Sequence, residues 1–190
     1  AAQDYRGPFR ILLVDDHSTD GTAEAARRGG AVTVLAAPPL EPGWVGKLWA
    51  LHSGQKAALA EAPAPDYWWL TDADISHAPD TLSRLVAKAE GANRALVSLM
   101  VKLWCASVWE RLLIPAFVFF FQKLYPFPRV NDDRSRTAAA AGGCVLVRAD
   151  TLAAAGGLAA MKQAVIDDCS LGALIKRQAR REGRGIWLGL

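Results

Sequence analysis

Cysteine is scarce: Cys105, Cys144 and Cys169 are odd in number, far apart and free of any Cys-x-x-Cys pair. That excludes a disulfide framework and a cysteine zinc site, and it fits a reducing compartment. The three histidines, His17, His52 and His77, show no H-x-x-x-H spacing. No G-x-G-x-x-G is present, which disfavours a dinucleotide oxidoreductase, and Ser76 and Ser98 stand in no G-x-S-x-G elbow. No run approaches the roughly 18 apolar residues of a spanning helix, and Ala1 to Arg10 carries no basic-then-apolar pattern. Charge of one sign is lacking too. The net charge is +3 with both signs well mixed, which gives no reason to expect a nucleic-acid partner and leaves room for a phosphorylated substrate or an anionic membrane surface.

What is present suits one globular domain over residues 1–190: 52% hydrophobic residues with 22% charged give enough apolar surface for a core and exclude global disorder. Short apolar runs that end on acids dominate the pattern. Tyr67-Trp68-Trp69-Leu70-Thr71-Asp72-Ala73-Asp74 reads as a buried strand that delivers two carboxylates to the rim of a sheet, where open α/β sheets bind ligands. Hard oxygen donors there suit Mg or Mn, an ion that usually also takes phosphate oxygens from a substrate. Arg10 to Val14 is a second such strand, ending on Asp15 and Asp16, followed by a Ser/Thr/Asp/Gly turn into a helix from Thr22 to Arg28.

Further strands are expected at Ala31 to Ala36, Ala95 to Val101, Gly142 to Val147 and Gly185 to Leu190, and helices at Lys47 to Leu59, Pro79 to Ala89 and Ala164 to Arg181. Alternation of this kind implies a parallel sheet with right-handed crossovers. Gly46-Lys47 opens a helix, a place where a phosphate is readily held. Gly142 and Gly143 let a backbone or ligand approach closely. Val130 to Thr137 reads as a mobile surface loop. Leu112 to Phe121 is ten apolar residues without a break, flanked by Trp104, Trp109 and Tyr125 and by Lys102, Arg111 and Lys123. It is too short to span a bilayer and carries the residue types that favour a headgroup region; a buried core helix is the alternative.

The opening Ile11-Leu12-Leu13-Val14-Asp15-Asp16-His17 is similar to response-regulator receiver domains, signalling modules whose paired acids bind Mg²⁺. Their phosphoacceptor strand ends in a single Asp followed by Met-Pro, whereas here Asp72 has Asp74 as a companion and Ile75-Ser76 after it. The whole ordered set of motifs resembles instead the inverting family-2 glycosyltransferases. Val14 to Thr22 matches V-D-D-x-S-x-D-G-T; Gly46, Lys47, Ala50, Leu51 and Gly54 match G-K-x-x-A-L-x-x-G; Asp72 and Asp74 match D-x-D. Gly142-Gly143 matches the acceptor-side strand, and Asp167-Asp168 the acidic pair.

The resemblance implies a GT-A type, Rossmann-like α/β fold with a mainly parallel sheet flanked by helices, and transfer of a sugar from a nucleoside diphosphate by single displacement. It implies that Asp74 ligates a divalent metal (Mg or Mn), with Asp72 beside it contacting the ion, the ribose or a second-shell water. It implies that one of Asp15 and Asp16 holds the nucleoside and Lys47 contacts the nucleotide or its phosphate, that Gly142 and Gly143 lie on the acceptor side, and that Asp168 is the base, with Asp167 its competitor. Trp109 to Pro115 and Ala138 to Val147 are similar to the hopanoid-biosynthesis-associated glycosyltransferases, which implies a lipid acceptor and a membrane-associated protein on the cytoplasmic face of the inner membrane. A Mg-dependent nucleotidyltransferase stays open as an alternative. The family's Pro-x-x-Asn-Glu strand before Arg10 and Q-x-x-R-W motif after the acidic pair are not found, so the chain is expected to be a piece of a longer catalytic domain.

Overall fold

The computed structural model describes residues 2–190. Strand β1 (Ile11–Asp15) and strand β2 (Val32–Ala36) pair in parallel, Ile11 opposite Val32 and Asp15 opposite Ala36, with helix α1 (Thr22–Arg28) as the crossover. Helix α2 (Gly46–Glu61) lies against β1 so closely that a Cβ on Gly54 would come within 2.6 Å of Val14. The glycine at this motif position is therefore a packing requirement.

Strands β3 (Tyr67–Leu70), β4 (Arg94–Leu99), β5 (Val145–Arg148) and β6 (Gly185–Gly189) form a second sheet in the order β3-β5-β4-β6. Helix α3 (Thr81–Gly91) joins β3 to β4 and buries Leu82, Leu85 and Ala89. The pair β4–β6 is parallel, but β5 runs antiparallel to both β3 and β4. Its direction has a consequence for the rim. Val145 at the start of β5 stands opposite Leu70 at the end of β3 and opposite Ser98 near the end of β4. The glycines that enter β5 thus arrive at the same sheet edge as the acids that leave β3. A parallel β5 would have put them at opposite edges.

Between β4 and β5 come helix α4 (Val108–Leu124) and the short helix α5 (Phe127–Asn131). After β5 the chain forms helix α6 (Ala149–Ala154), a single 3₁₀ turn at Leu158–Met161, and helix α7 (Asp167–Arg181). The main core joins Leu96, Val145 and Val147 of the sheet with Leu171, Ile175 and Ala179 of α7 and the alanine run 139–141. Gly172 is the point of closest approach: a Cβ there would sit 2.6 Å from the Ala139 carbonyl carbon. Backbone cannot retreat as a flexible side chain can, so Gly172→Ala is expected to cost about 1–3 kcal/mol through overpacking and to lower Tm by several degrees. A thermal melt with Tm unchanged would show that α7 has room to move away from the alanine run.

The segment 130–137 is not the loose surface loop that its Asn, Asp, Arg and Ser residues predict. Lys176, buried on α7, donates to the carbonyls of Arg129 (3.2 Å), Val130 (2.7 Å) and Thr137 (2.7 Å), so all three of its protons are used. Arg94 grips Asp133 at 2.8 Å, and Arg180 donates to the carbonyls of Asp133 and Ser135. Burial lowers the pKa of the Lys176 ammonium, and Arg180 adds to this.

Helix α4 is the exception to the packing. It starts on a capping box, in which the Ser107 hydroxyl accepts from Glu110 N at 3.2 Å and the Glu110 carboxylate accepts from Ser107 N at 2.7 Å. These bonds hold the Glu110 carboxyl below its ordinary range. No residue of α4 is buried, although most are apolar; Phe121 and Tyr125, just past its end, touch the core, while Trp109, Leu112, Leu113, Phe117, Phe120 and Leu124 face outward. No helix among the described residues is long and apolar enough to cross a membrane.

Candidate active site

At the shared sheet edge, Lys47, Asp72, Gly142, Asp167 and Asp168 line one cleft, closed below by apolar side chains such as Leu48, Leu70 and Leu171. They come from four places in the chain: the first turn of α2, the end of β3, the entry to β5 and the first turn of α7. The Lys47 ammonium lies 2.9 Å from an Asp72 oxygen and 3.2 Å from an Asp167 oxygen, so one cation bridges two carboxylates from separate elements. Burial opposes its charge, but the Asp72 hydrogen bond and the Asp167 and Asp72 charges outweigh this and hold Lys47 above the usual lysine range.

Asp168 is oriented from two sides. One oxygen accepts from Gly142 N at 3.2 Å and the other from Cys169 N at 2.7 Å. Gly142 lies against both groups: a Cβ there would be in ordinary contact with Asp168 Cβ at 3.4 Å and with the Lys47 ammonium at 3.5 Å. The acidic pair is thereby divided: Asp167 holds the lysine and Asp168 holds the glycine backbone. Beside them, burial pushes the Cys169 thiol up to about 11, with the Asp168 charge also raising it, so this cysteine stays a neutral thiol at neutral pH. Tyr125, just past the end of α4, packs on the same core as Cys169, and its pKa is raised by Cys169 and also by the Asp168 charge, which puts the end of α4 near Asp168.

The remaining predicted positions surround the cleft. Asp74 is exposed in the turn that follows β3, a turn closed by Ile75 N donating to the Asp72 carbonyl at 3.3 Å. Asp15 accepts from Ser18 N at 3.3 Å and shapes the turn after β1; it does not line the cleft. Asp16 points toward the start of α2, where a Cβ on Gly46 would be 3.4 Å from its carboxylate. Gly143 is tightly packed, since a Cβ would meet Val101 at 2.5 Å.

Sequence reasoning missed Thr71 and His77. The Thr71 hydroxyl donates to the Gly143 carbonyl at 2.9 Å and meets His77 Nε2 at 2.7 Å. A hydroxyl has one proton, so with that proton on Gly143 the histidine must donate from Nε2. Burial lowers the His77 pKa, which favours the neutral ring. The bridge ties the turn carrying Asp72 and Asp74 to the glycine entry of β5, and the only sequence signal for it is a histidine six residues after a threonine.

A divalent ion fits this donor set only in part. Among the described residues no group of three or more His, Cys, Asp or Glu side chains converges on one point. Asp72 and the exposed Asp74 offer hard carboxylate oxygens, which is the usual protein share where substrate phosphates complete the shell.

Carboxylates and a lysine gathered at the rim of an α/β sheet, with an antiparallel strand returning glycines to the same edge, define a ligand-binding protein of the GT-A type. The chain belongs to glycosyl transferase family 2, whose profile matches residues 1–154. A search of curated proteins found no match. Among solved structures it is similar to a mannosyltransferase from Pyrobaculum calidifontis in complex with GDP-Man and Mn²⁺, at 22% identity and a TM-score of 0.62, over 98% of this chain and 47% of that one. It is also similar to a glucosyl-3-phosphoglycerate synthase from Mycobacterium tuberculosis in complex with UDP, at 20% identity and a TM-score of 0.46, over 94% of this chain and 57% of that one. The chain thus spans about half the length of the first of these structures.

Proposed function

We propose that this chain carries the catalytic centre of a glycosyltransferase that moves a sugar from a nucleoside-diphosphate donor to a lipid hydroxyl with inversion. The observation that carries the reading is the cleft itself, in which Lys47, Asp72, Asp167 and Asp168 converge within a family-2 chain. Asp72 and Asp74 are the residues that would hold a divalent ion, in keeping with the Mn²⁺ and GDP-Man of the similar mannosyltransferase. Such an ion, when bound, stabilises the negative charge that grows on a leaving diphosphate. Lys47 supplies a second positive charge at the start of α2, where free backbone N–H groups also favour phosphate. Asp168 takes the proton of the attacking hydroxyl, because a single displacement requires one base on the acceptor side.

Two features support a lipid acceptor, with a hopanoid as the class the sequence resemblance favours. Tyr125 places the end of α4 beside Asp168, and the outer face of α4 is apolar, with Lys102, Arg111 and Lys123 near it. This arrangement would hold the protein at the cytoplasmic surface of a membrane with the cleft near the headgroups. Phe119→Asp with Phe120→Asp alters two exposed rings and is expected to leave the fold intact while abolishing flotation with anionic vesicles. Flotation that persists in the folded double variant would remove α4 as the contact. The test of the whole reading is product analysis: full-length protein with a panel of sugar nucleotides, Mn²⁺ and lipid acceptors should yield a glycolipid and free nucleoside diphosphate. Release of pyrophosphate with a transferred nucleoside monophosphate would identify a nucleotidyltransferase instead.

A further inference from the structure

We propose that Lys47 is a resident counter-cation that competes with the divalent ion for Asp72 until the nucleotide arrives, and then changes partner to the donor's phosphates. The inference rests on the donor-site reading above. Asp72, Asp167 and Asp168 line one cleft, where carboxylates without a cation would repel each other. The Lys47 ammonium answers two of them, reaching Asp72 at 2.9 Å and Asp167 at 3.2 Å. It therefore sets a positive charge on Asp72 Oδ1, which an incoming ion at this carboxylate would have to displace or tolerate, while Asp74 alone is a weak site. A lysine suits an exchange of this kind, because its ammonium is a point charge on a flexible stem and accepts any geometry of partner oxygens.

The arrival of a diphosphate changes the balance. Phosphate oxygens add negative charge and metal ligands together, so the ion no longer depends on Asp72 alone, and the ammonium gains new partners at the start of α2. Lys47 opposes the ion in the absence of nucleotide and assists it in the presence of nucleotide. Its departure also leaves Asp167 without its cation, so donor binding on β3 and α2 is felt at the first turn of α7, beside Asp168.

The signature is a change of opposite sign in two affinities. Electron paramagnetic resonance of free Mn²⁺, titrated with full-length protein, measures both directly, with and without a nucleoside diphosphate (GDP and UDP in turn). Lys47→Met is expected to tighten Mn²⁺ alone and to weaken Mn²⁺ with nucleotide, each by roughly three- to tenfold, the scale of two half-exposed ion pairs. Lys47→Arg, which keeps the charge, should leave Mn²⁺ alone as weak as in the wild type and guards against a trivial folding loss. If Lys47→Met leaves the affinity for Mn²⁺ alone unchanged or weaker while the wild type still binds Mn²⁺ with nucleotide, the competition is overturned and the donor site stands. If the wild type binds no Mn²⁺ with either nucleotide, the donor-site reading fails and this inference with it.

Discussion

Asp168→Asn in a full-length enzyme is expected to lower kcat by about 10²- to 10⁴-fold, the range of a lost general base, while donor affinity stays close to that of the wild type. The geometry separates the two effects. Asp168 bonds to Gly142 N and Cys169 N and does not touch Lys47, which is held by Asp72 and Asp167. An asparagine of the same shape keeps one acceptor oxygen for these N–H groups but cannot take a proton. Asp167→Asn should act differently, through the lysine: donor KM shifts and kcat falls less. Single-turnover rates with calorimetry of nucleoside-diphosphate binding measure both quantities. Near-normal turnover in Asp168→Asn with loss in Asp167→Asn would move the base one residue back, and retention in both would sink single displacement at this pair. Cys169 is no rival, since its thiol, raised to about 11, carries almost no thiolate at neutral pH.

Much of the scaffold was legible because short apolar runs bounded by polar, glycine or proline residues mark strands. All six strands fall where such runs predicted them, as do α1, α2, α3 and α7 within a few residues. The direction of β5 was not legible. Val145-Leu146-Val147 is buried whichever way it runs, and a short apolar triplet carries no sign of its polarity. Contacts between distant residues were hidden for a related reason: Lys47 and Asp167 are each plausible solvated helix-start residues, and only the fold shows that they meet. The same holds for segment 130–137, whose polar residues look like a free loop until Arg94, Lys176 and Arg180 are placed around them. Nor was it legible that Asp15, an acid directly on a strand end, also closes a turn, here with Ser18.

Asp74→Ala is expected to abolish metal-dependent binding of a nucleoside diphosphate. Of the two acids after β3, Asp72 already shares a hydrogen bond with Lys47, whereas Asp74 is exposed and has no partner among the described residues. Asp74 is therefore the carboxylate that the ion can take without displacing a cation. Its position is set by rigid neighbours: the Asp72–Ile75 turn bond, and the Thr71 hydroxyl that links His77 to Gly143. Removing an exposed side chain from such a turn costs little stability, so a folded variant is expected and a binding loss can be assigned to the lost oxygens. Calorimetry of the full-length protein with GDP or UDP should show heat only when Mn²⁺ is present, and none for Asp74→Ala in either condition. Asp74→Asn should behave in the same way, because an amide keeps the size and removes the charge that the ion requires. Equal binding with and without Mn²⁺ in the wild type would take the ion out of the donor site and leave Lys47 and the start of α2 to hold the phosphates.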